Sequence, residues 1–262
     1  MKVGDLEIAP IMDGVAILPI SEPFIGMPAE SWRGHEQFLN TAGDLELAIG
    51  GFLVRSGDRV VLIDCGCGPI SGLFQGGAFI ENLARHGVAP ADVTDVIFTH
   101  LHFDHVGWAT QQGRIVFDHA TYRCDARDWA HFVGPDAGAT RKLSPLTDRM
   151  EFWDRSGPLL PGVDTLIAPG HTPGSTIIVI SSAAARALLI GDVAHCPVEL
   201  TVDEWNGMSD VDPQLAQRTR NALARELEGT DTPLAAAHFP GLQFGRLLLG
   251  EGRRQWIVSS GV

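Results

Sequence analysis

The chain contains little cysteine, no long apolar run and no excess of cationic side chains. Its four cysteines among 262 residues are too few for a disulfide scaffold, and the closely spaced Cys65 and Cys67 cannot easily pair with each other. No apolar run approaches the roughly 20 residues needed to cross a bilayer, and no basic segment followed by an apolar stretch marks a signal peptide. We therefore expect a cytoplasmic protein with reduced thiols that does not bind a membrane.

Cationic residues are outnumbered, since 19 Lys and Arg oppose 32 Asp and Glu and give a formal net charge of −13 at pH 7. Such a surface repels polyanions, so nucleic acid is not the expected partner. The Gly-x-Ser-x-Gly sequence that positions a nucleophilic serine in many hydrolases is also absent. The expected partner is a small-molecule substrate, while the acidic surface neither demands nor forbids a homodimer.

The composition is typical of a globular chain, with 45 % hydrophobic residues, and no linker divides it, so we expect a single domain over residues 1–262. Short apolar runs predict strands, and a well-capped segment predicts the clearest helix at Asp212–Leu227. This order indicates an α/β (α+β) chain, for which a sandwich of two sheets covered by helices is one of several layouts. The other predicted helices are Ala78–His86 and Ala126–Phe132, and the strands are Gly51–Arg55, Val60–Asp64, Val93–Thr99, Thr176–Ile180, Ala187–Ile190, Leu234–Ala237 and Gln255–Val258.

Three histidines and one aspartate lie within six positions directly after the predicted strand Val93–Thr99. Neutral imidazole and carboxylate are ligand types that zinc, iron and manganese accept. In an extended segment His100 and His102 would face the same side, whereas Asp104 and His105 would fall in the following turn. The spacing therefore suits two metal ions rather than one.

Three further potential ligands follow predicted strands or lie in a tight loop. His171 is in the Gly/Pro-rich loop Pro169–Gly174, and Asp192 and His238 each follow an apolar strand. Strand ends and loops are where proteins usually display functional groups. Together with the histidine-rich segment, these residues strengthen the prediction of a metal site.

This order of motifs resembles the metallo-β-lactamase superfamily of metal-dependent hydrolases. The similarity runs from about Gly51 to His238 and comprises His-x-His-x-Asp-His, a Gly-His-Thr-Pro-Gly loop, Gly-Asp and a late histidine. The resemblance implies a four-layer αββα sandwich of two mixed β-sheets flanked by helices, with the metals at the edge between the sheets. Within the superfamily the chain is similar to the quorum-quenching lactonases and the methyl-parathion-hydrolase-like enzymes, which are single-domain and dinuclear.

The resemblance also implies the metal ligands. Asp64 resembles a buried residue that supports the ligands; alternatively, it stabilises the turn at Cys65–Gly68. The expected cofactors are two divalent metal ions, with zinc preferred and iron, manganese or cobalt as alternatives. One ion would be bound by His100, His102 and His171, the other by Asp104, His105 and His238, with Asp192 as the bridge.

Two such ions about 3.5–4 Å apart can share a water and lower its pKa towards neutrality. We therefore expect a hydrolase that uses a metal-bridging hydroxide to cleave a small ester, lactone or phosphotriester. Asp104 would orient the hydroxide and could pass a proton to the leaving group. His195, three residues after Asp192, would be a catalytic residue that hydrogen-bonds the substrate, or else a polar loop residue. Trp108 would line an apolar substrate pocket or pack in the core.

Three other functions stay open on the sequence alone. A mononuclear-iron oxidoreductase of the persulfide-dioxygenase type would not need Asp104 as a ligand. Hydrolysis of β-lactams is expected at most as a side activity, because the enzymes that destroy these antibiotics lack the bridging aspartate found here as Asp192. A binding module without activity would have lost ligands, whereas all seven ligand positions are intact here.

Overall fold

The computed structural model describes residues 1–134, 139–207 and 209–259. Within these ranges the chain forms strands and α-helices joined by loops and short 3-10 turns. The strands are β1 (Lys2–Val3), β2 (Leu6–Leu18), β3 (Leu45–Ser56), β4 (Arg59–Ile63), β5 (Phe74–Gln75), β6 (Asp95–Ile97), β7 (Thr110–Gln111), β8 (Arg114–Ile115), β9 (Thr121–Asp125), β10 (Met150–Trp153), β11 (Gly157–Leu160), β12 (Val163–Ile167), β13 (Thr176–Ser182), β14 (Ala185–Leu189), β15 (Leu234–Ala235), β16 (Gly245–Gly250) and β17 (Arg253–Val258). The helices are α1 (Phe79–Arg85), α2 (Phe103–Val106), α3 (Ala126–Phe132), α4 (Thr140–Leu143), α5 (Val198–Thr201) and α6 (Pro213–Leu227).

Two mixed sheets contain these strands, apart from the β7–β8 hairpin. One sheet has eight strands in the order β1-β2-β3-β4-β6-β9-β10, with β5 paired to β2. The other has seven strands in the order β11-β12-β13-β14-β15-β16-β17. Both sheets contain parallel pairs among antiparallel ones: β4–β6, β6–β9 and β9–β10 in the first sheet and β14–β15 in the second.

Alternating side chains place the main core between the two sheets. In β3, Phe52 and Val54 belong to one apolar cluster and Leu53 belongs to another, as the two-residue period of a strand requires. The cluster of Phe52 also contains Ile178 from β13 and Phe244 beside β16. The two sheets therefore pack face to face around a shared apolar layer.

Helices cover the outer face of each sheet. Leu53 of the first sheet packs in one cluster with Phe79 and Leu83 of α1. On the opposite side of the sandwich, Leu223 and Leu227 of α6 pack with residues of the second sheet. The four-layer αββα sandwich expected from the sequence is thereby confirmed.

The predicted helices are present close to their expected bounds. Helix α6 begins as its sequence indicates, because Oδ1 of Asp212 accepts a hydrogen bond from the backbone N–H of Leu215 at 3.0 Å and Pro213 is the first helical residue. Helix α1 lies inside the segment predicted for it, and α3 matches its segment. None of the helices in the described parts of the chain is long and apolar enough to cross a membrane.

The longest strand of the first sheet gave no clear signal in the sequence. Strand β2 has 13 residues, but Pro10, Asp13 and Gly14 interrupt its apolar positions. Its register against β3 also shifts between Met12 and Gly14, so the alternation of apolar and polar residues breaks there. The partner strand β3, rather than the local pattern, holds this segment in the sheet.

The strand before the histidines is shorter than the expected Val93–Thr99, and helix α2 lies where a turn was expected for Asp104 and His105. Strand β6 ends at Ile97, and Asp104 and His105 lie on α2. The chain leaves the sheet because the backbone N–H groups of residues 99 and 101 bind the carboxylates of Asp64 and Asp128 instead of a neighbouring strand.

Parallel pairing brings the candidate ligands to one edge of the sandwich. Asp64 follows β4, and the histidine-rich segment follows the parallel strand β6. In the second sheet Asp192 follows β14 and His238 follows the parallel strand β15. His171 lies in the loop between β12 and β13, which reaches the same edge because β13 is antiparallel to β14.

Candidate metal centre

Asp64 fixes the shape of the loop after β6. It adopts a positive φ of 58°, and its Oδ1 accepts a hydrogen bond from the backbone N–H of Thr99 at 2.8 Å. Its Oδ2 accepts from the hydroxyl of Thr99 at 2.7 Å and pairs with Nδ1 of His105 at 2.8 Å. Asp64 therefore supports His105 from behind and does not point into the centre.

His100, His102 and His171 bring three imidazole nitrogens into a triangle. Nε2 of His100 lies 3.0 Å from Nδ1 of His102, and Nε2 of His171 lies 3.2 Å from the first nitrogen and 2.9 Å from the second. Each ring nitrogen can only donate or accept, so at least one of the three pairs must join two donors or two acceptors. A cation removes this conflict, because all three nitrogens can then direct lone pairs at it.

Asp104, His105 and His238 form a second buried group, whose ligand atoms lie within 4.8 Å of one another. Asp192 lies between the two groups. Its Oδ2 is 3.4 Å from Nε2 of His171 and 3.2 Å from Nε2 of His238. Its Oδ1 is 3.3 Å from Nε2 of His105. The structure thus brings all seven proposed ligands together, with Asp192 within reach of both groups.

The outer ring nitrogens are held by hydrogen-bond acceptors. Nδ1 of His171 pairs with Asp210 at 3.0 Å, and Nδ1 of His238 donates to the backbone carbonyl of Ala48 at 2.8 Å. A carbonyl oxygen can only accept, so His238 carries a proton on Nδ1 and, when neutral, keeps its lone pair on Nε2. This arrangement aims lone pairs at the centre, as metal-binding histidines require.

Charge and unpaired atoms also fit two divalent ions. Within the described part of the chain, Nε2 of His105 and Oδ1 of Asp192 are buried and make no hydrogen bond. A buried polar atom without a partner is costly, and a metal ion would satisfy both. Two divalent cations would also neutralise the four buried carboxylates that contact the histidines of the two groups. These carboxylates belong to Asp64, Asp104, Asp192 and Asp210.

The metal-free cluster holds its groups far from their ordinary pKa values. Burial lowers the pKa of His102 to about 3. For His171 the opposing effect of burial is outweighed by Asp192 and Asp210, which raise its pKa to about 9. Burial also disfavours a charge on Asp192, yet the surrounding imidazoles, His238 first among them, hold the pKa of this carboxyl well below its usual range. A metal ion that binds would displace the imidazole protons.

A cavity of about 410 Å³ opens above the centre. Leu73 and Phe103 on its wall are 50 % and 49 % exposed, so the cavity offers apolar contacts at its mouth. Its described lining residues include acidic side chains but no lysine or arginine. The lining residues are Leu18, Glu22, Pro23, Leu47, Leu73, Phe74, His102, Phe103, Asp104, Asp192, His195, Ser209 and His238.

His195 lies beside the ligands and lines this cavity. Its Nε2 is 3.6 Å from Oδ2 of Asp192, and its ring stacks on that of His238 with 5.9 Å between centroids. Its Nδ1 is 3.5 Å from the buried carboxylate of Glu199, which forms an ion pair with the buried Arg220. The structure therefore brings His195 to the centre, while its contact with a substrate stays a prediction.

Trp108 is directed away from the cavity. Its indole Nε1 donates to Oδ1 of Asp13 at 2.8 Å, and its ring packs against the core of the first sheet. Asp13 also accepts from the backbone N–H groups of Cys67 and Gly68 at 2.8 and 2.9 Å. The structure thus gives Trp108 a packing position in place of the expected pocket position, and Asp13 rather than Asp64 holds this turn.

Two supporting carboxylates carry no signal that the sequence could reveal. Asp210 pairs with His171 across 39 positions of the chain, so only the fold brings them together. Glu199 is completely buried on the short helix α5, between the apolar residues Val198 and Leu200. Its apolar neighbours hint at burial, but nothing local links it to His195.

Comparisons with known proteins agree with this fold. A family profile described as Metallo-beta-lactamase superfamily matches residues 51–238. The Metallo-beta-lactamase domain-containing protein 1 of Xenopus laevis is 28 % identical over 191 residues, which cover 71 % of this chain and 70 % of that protein. An N-acyl homoserine lactonase of Bacillus thuringiensis is 25 % identical over 191 residues, which cover 66 % of this chain and 73 % of the lactonase. Ribonuclease TTHA0252 of Thermus thermophilus is 30 % identical over 163 residues, which cover 55 % of this chain and only 34 % of the ribonuclease.

Solved structures share the whole architecture. The hydrolase AbOPH superposes with a TM-score of 0.88 at 24 % identity, covering 100 % of this chain and 97 % of the hydrolase. AidC, a dizinc quorum-quenching lactonase, superposes with a TM-score of 0.87 at 21 % identity over the same shares. The family profile extends from β3 to the histidine that follows β15 and includes all seven proposed ligands. The chain therefore belongs to the metallo-beta-lactamase superfamily.

Proposed function

We propose that this protein is a dinuclear-metal-dependent hydrolase that cleaves a small neutral ester, lactone or phosphotriester. The observation that carries the proposal is the pair of ligand groups that meet at Asp192 below an apolar-walled cavity. When bound there, two divalent ions would supply Lewis acidity towards the substrate oxygen and an activated water. Zinc suits this mixture of imidazole and carboxylate, and iron, manganese or cobalt could replace it.

The chain's own residues would orient the substrate and move a proton. Asp104 lines the cavity, and its Oδ2 is 3.5 Å from Nε2 of His238, so it can accept a proton at the centre and release it to a leaving group. Because Nδ1 of His195 makes no hydrogen bond among the described residues, a neutral ring can carry its proton on Nε2 and donate from there to the substrate carbonyl or leaving oxygen. The cysteines are unsuited to act as nucleophiles, because burial raises the pKa of Cys67 to about 12 and raises the pKa of Cys65 still further.

The cavity favours neutral substrates over anionic ones. Glu22, Asp104 and Asp192 contribute carboxylates, and none of the described lining residues is cationic. With both ions bound Asp104 and Asp192 would be neutralised, so Glu22 is the lining group that would face the negative charge of a β-lactam or an RNA strand, and the described lining offers no cationic side chain to meet that charge. The N-acyl homoserine lactonase relative supports a neutral lactone among these substrates. The exposed Leu73 and Phe103 at the mouth suit an apolar substituent.

The persulfide-dioxygenase alternative would use a single iron. The second ligand group, with Asp104, His105 and His238, favours a second ion instead. Elemental analysis distinguishes the two, because the proposal expects about two ions per chain. A value near one, all of it iron, would favour the oxidoreductase.

Protein loaded with zinc and freed of excess metal tests the activity directly. We expect turnover of an N-acyl homoserine lactone, an aryl ester or a dialkyl aryl phosphate, and much less of a β-lactam. His119→Ala is a suitable control, because His119 is exposed and its ring pairs only with the carbonyl of Ala91 among the described residues. Full metal content without turnover of any neutral substrate would refute the proposal.

Three broader expectations also stay proposals. All four cysteines are free, which supports a reducing, cytoplasmic compartment. We infer one domain over residues 1–262, because both sheets share a core and both supply ligands. The proposed homodimer can be tested by sedimentation of the protein alone. Sedimentation with added RNA tests the expectation that the protein binds no nucleic acid.

A further inference from the structure

Asp128 connects the two loops that carry the first ligand group, although it is not itself one of the ligands. It lies on α3 and is completely buried. Its Oδ2 accepts hydrogen bonds from the backbone N–H of Leu101 at 3.2 Å and from the hydroxyl of Thr172 at 3.0 Å. Its Oδ1 accepts from the backbone N–H of Gly174 at 2.6 Å. One carboxylate therefore binds both loops at once.

These contacts are adjacent to the ligands in the chain. Leu101 lies between His100 and His102, and Thr172 directly follows His171. A shift of either loop away from α3 would therefore change the distances within the triangle of imidazole nitrogens. The second ligand group has different supports, because Nδ1 of His238 donates to a backbone carbonyl.

The packing around Asp128 leaves little freedom for this connection. A Cβ atom at Gly174 would lie only 2.8 Å from Oδ1 and from the backbone nitrogen of Asp128, so a larger residue would force the loop away from the helix. Burial raises the pKa of Asp128 to about 6, and at neutral pH the ionised group acts only as an acceptor. Three donors and a close backbone approach therefore hold the loops to α3.

We propose that Asp128 is a positioning residue that sets the affinity of the His100–His102–His171 group for its divalent ion without touching that ion. This inference rests on the proposed metal centre. Outer partners of metal sites commonly change affinity by roughly 10- to 100-fold when they are removed. The loss should affect one ion per chain, because the other ligand group does not depend on this carboxylate.

Asp128→Asn tests the proposal with little change in volume. The amide nitrogen cannot accept, so at least one of the buried donors loses its partner. Competition with a chelator of known affinity, on the full chain, should show one zinc ion bound roughly 10- to 100-fold more weakly. The second ion should keep its affinity within about threefold, so that the content falls from two ions towards one at limiting zinc.

Two further variants separate positioning from general loss of stability. Asp95→Asn also alters a buried carboxylate of the same half of the sandwich, but Asp95 pairs with Arg59 and Arg123 and is not in contact with the ligand loops. It should unfold more easily and still bind two ions. Thr172→Val removes one donor from the loop side of the contact, so it should weaken the same ion as Asp128→Asn even if that variant folds poorly.

Two results would overturn the proposal. One is wild-type affinity for both ions in folded Asp128→Asn and Thr172→Val. The other is a weaker binding of both ions in Asp128→Asn and Thr172→Val that follows their loss of unfolding free energy, together with the same weakening of both ions in Asp95→Asn. Metal binding is measured without substrate, so a protein that binds two ions but hydrolyses nothing would refute the proposed function and leave this inference standing.

Discussion

The carboxylate of Glu199 lies behind the imidazole of His195, with Oε2 3.5 Å from Nδ1. The same oxygen accepts hydrogen bonds from the backbone N–H groups of His195 and Cys196 at 2.5 and 3.0 Å. Arg220, also fully buried, pairs with the other oxygen at 3.3 Å and compensates the charge. Glu199 therefore fixes the backbone at His195, while Nδ1 of the ring makes no hydrogen bond among the described residues and Nε2 faces Asp192 and the cavity.

His195→Ala should keep both metal ions and slow turnover by roughly 10- to 100-fold, which corresponds to about 1.4–2.7 kcal/mol of lost transition-state stabilisation. The reason is that the ring reaches the cavity without being needed in either ligand group. Steady-state kinetics and elemental analysis on the same preparation provide the measurement. A variant with wild-type kcat would show that His195 is a packing residue.

The replacement His195→Tyr provides the matched comparison. A phenol at this position can still donate a hydrogen bond, so this variant should retain more activity on lactones than His195→Ala. Equal activity of the two variants would mean that hydrogen bonding by this side chain does not contribute.

Asp192→Ala should abolish turnover and leave a folded protein. Asp192 contacts His171 in one ligand group and His105 and His238 in the other, so its loss removes the one carboxylate that both groups share. Metal content should fall below two ions per chain as measured by elemental analysis. Full metal content together with a near wild-type rate would contradict the assignment of Asp192 as the bridge.

The proposed ligands could be selected from the sequence because their signal is local and dense. His100, His102, Asp104 and His105 occupy six positions, and that density is rare outside metal sites. The short apolar runs of β4 and β13, which are buried at most of their apolar positions, predicted strands but left several layouts open, and the four-layer sandwich was implied by the resemblance to the superfamily. The order of motifs along the chain then identified the superfamily.

The supports of the ligands could not be predicted, because they act across the fold. Asp128 reaches Thr172 across 44 positions, and Asp210 reaches His171 across 39. In the sequence Asp128 and Asp210 are two acidic residues among many. Only their burial in the structure shows that their carboxylates need hydrogen-bond partners. For Trp108 the sequence left both the cavity and the core open, and in the structure its indole binds Asp13 and packs against the core.

Asp95 should make stability sensitive to acid. Burial raises the pKa of this carboxyl, but hydrogen bonds from Thr94, Arg123 and Arg59 outweigh burial and hold the pKa below its ordinary value. A carboxyl with a depressed pKa contributes stability above its unfolded pKa of about 3.9 and loses that contribution as the pH falls through the folded value. Asp95→Asn should therefore be less stable than the wild type at pH 7 by roughly 3 kcal/mol.

Urea unfolding of the metal-free proteins at pH 7, 5 and 3 provides the measurement for Asp95. The difference in unfolding free energy between wild type and Asp95→Asn should be constant from pH 7 to 5 and shrink towards pH 3. A difference that does not change with pH would mean that the charge of Asp95 is not what stabilises the fold.

Asp64→Asn should weaken the ion of the second ligand group. Asp64 pairs with Nδ1 of His105 at 2.8 Å, which leaves Nε2 of a neutral ring free for a metal. An amide that donates at this position would favour the tautomer with its proton on Nε2, and that nitrogen could no longer bind an ion. We expect a loss of roughly 10- to 100-fold in the affinity for one ion, measured by chelator competition. Combined with Asp128→Asn, the two losses should fall on different ions, so the double variant should bind both weakly. If the double variant still held one ion at wild-type affinity, the two carboxylates would support the same site.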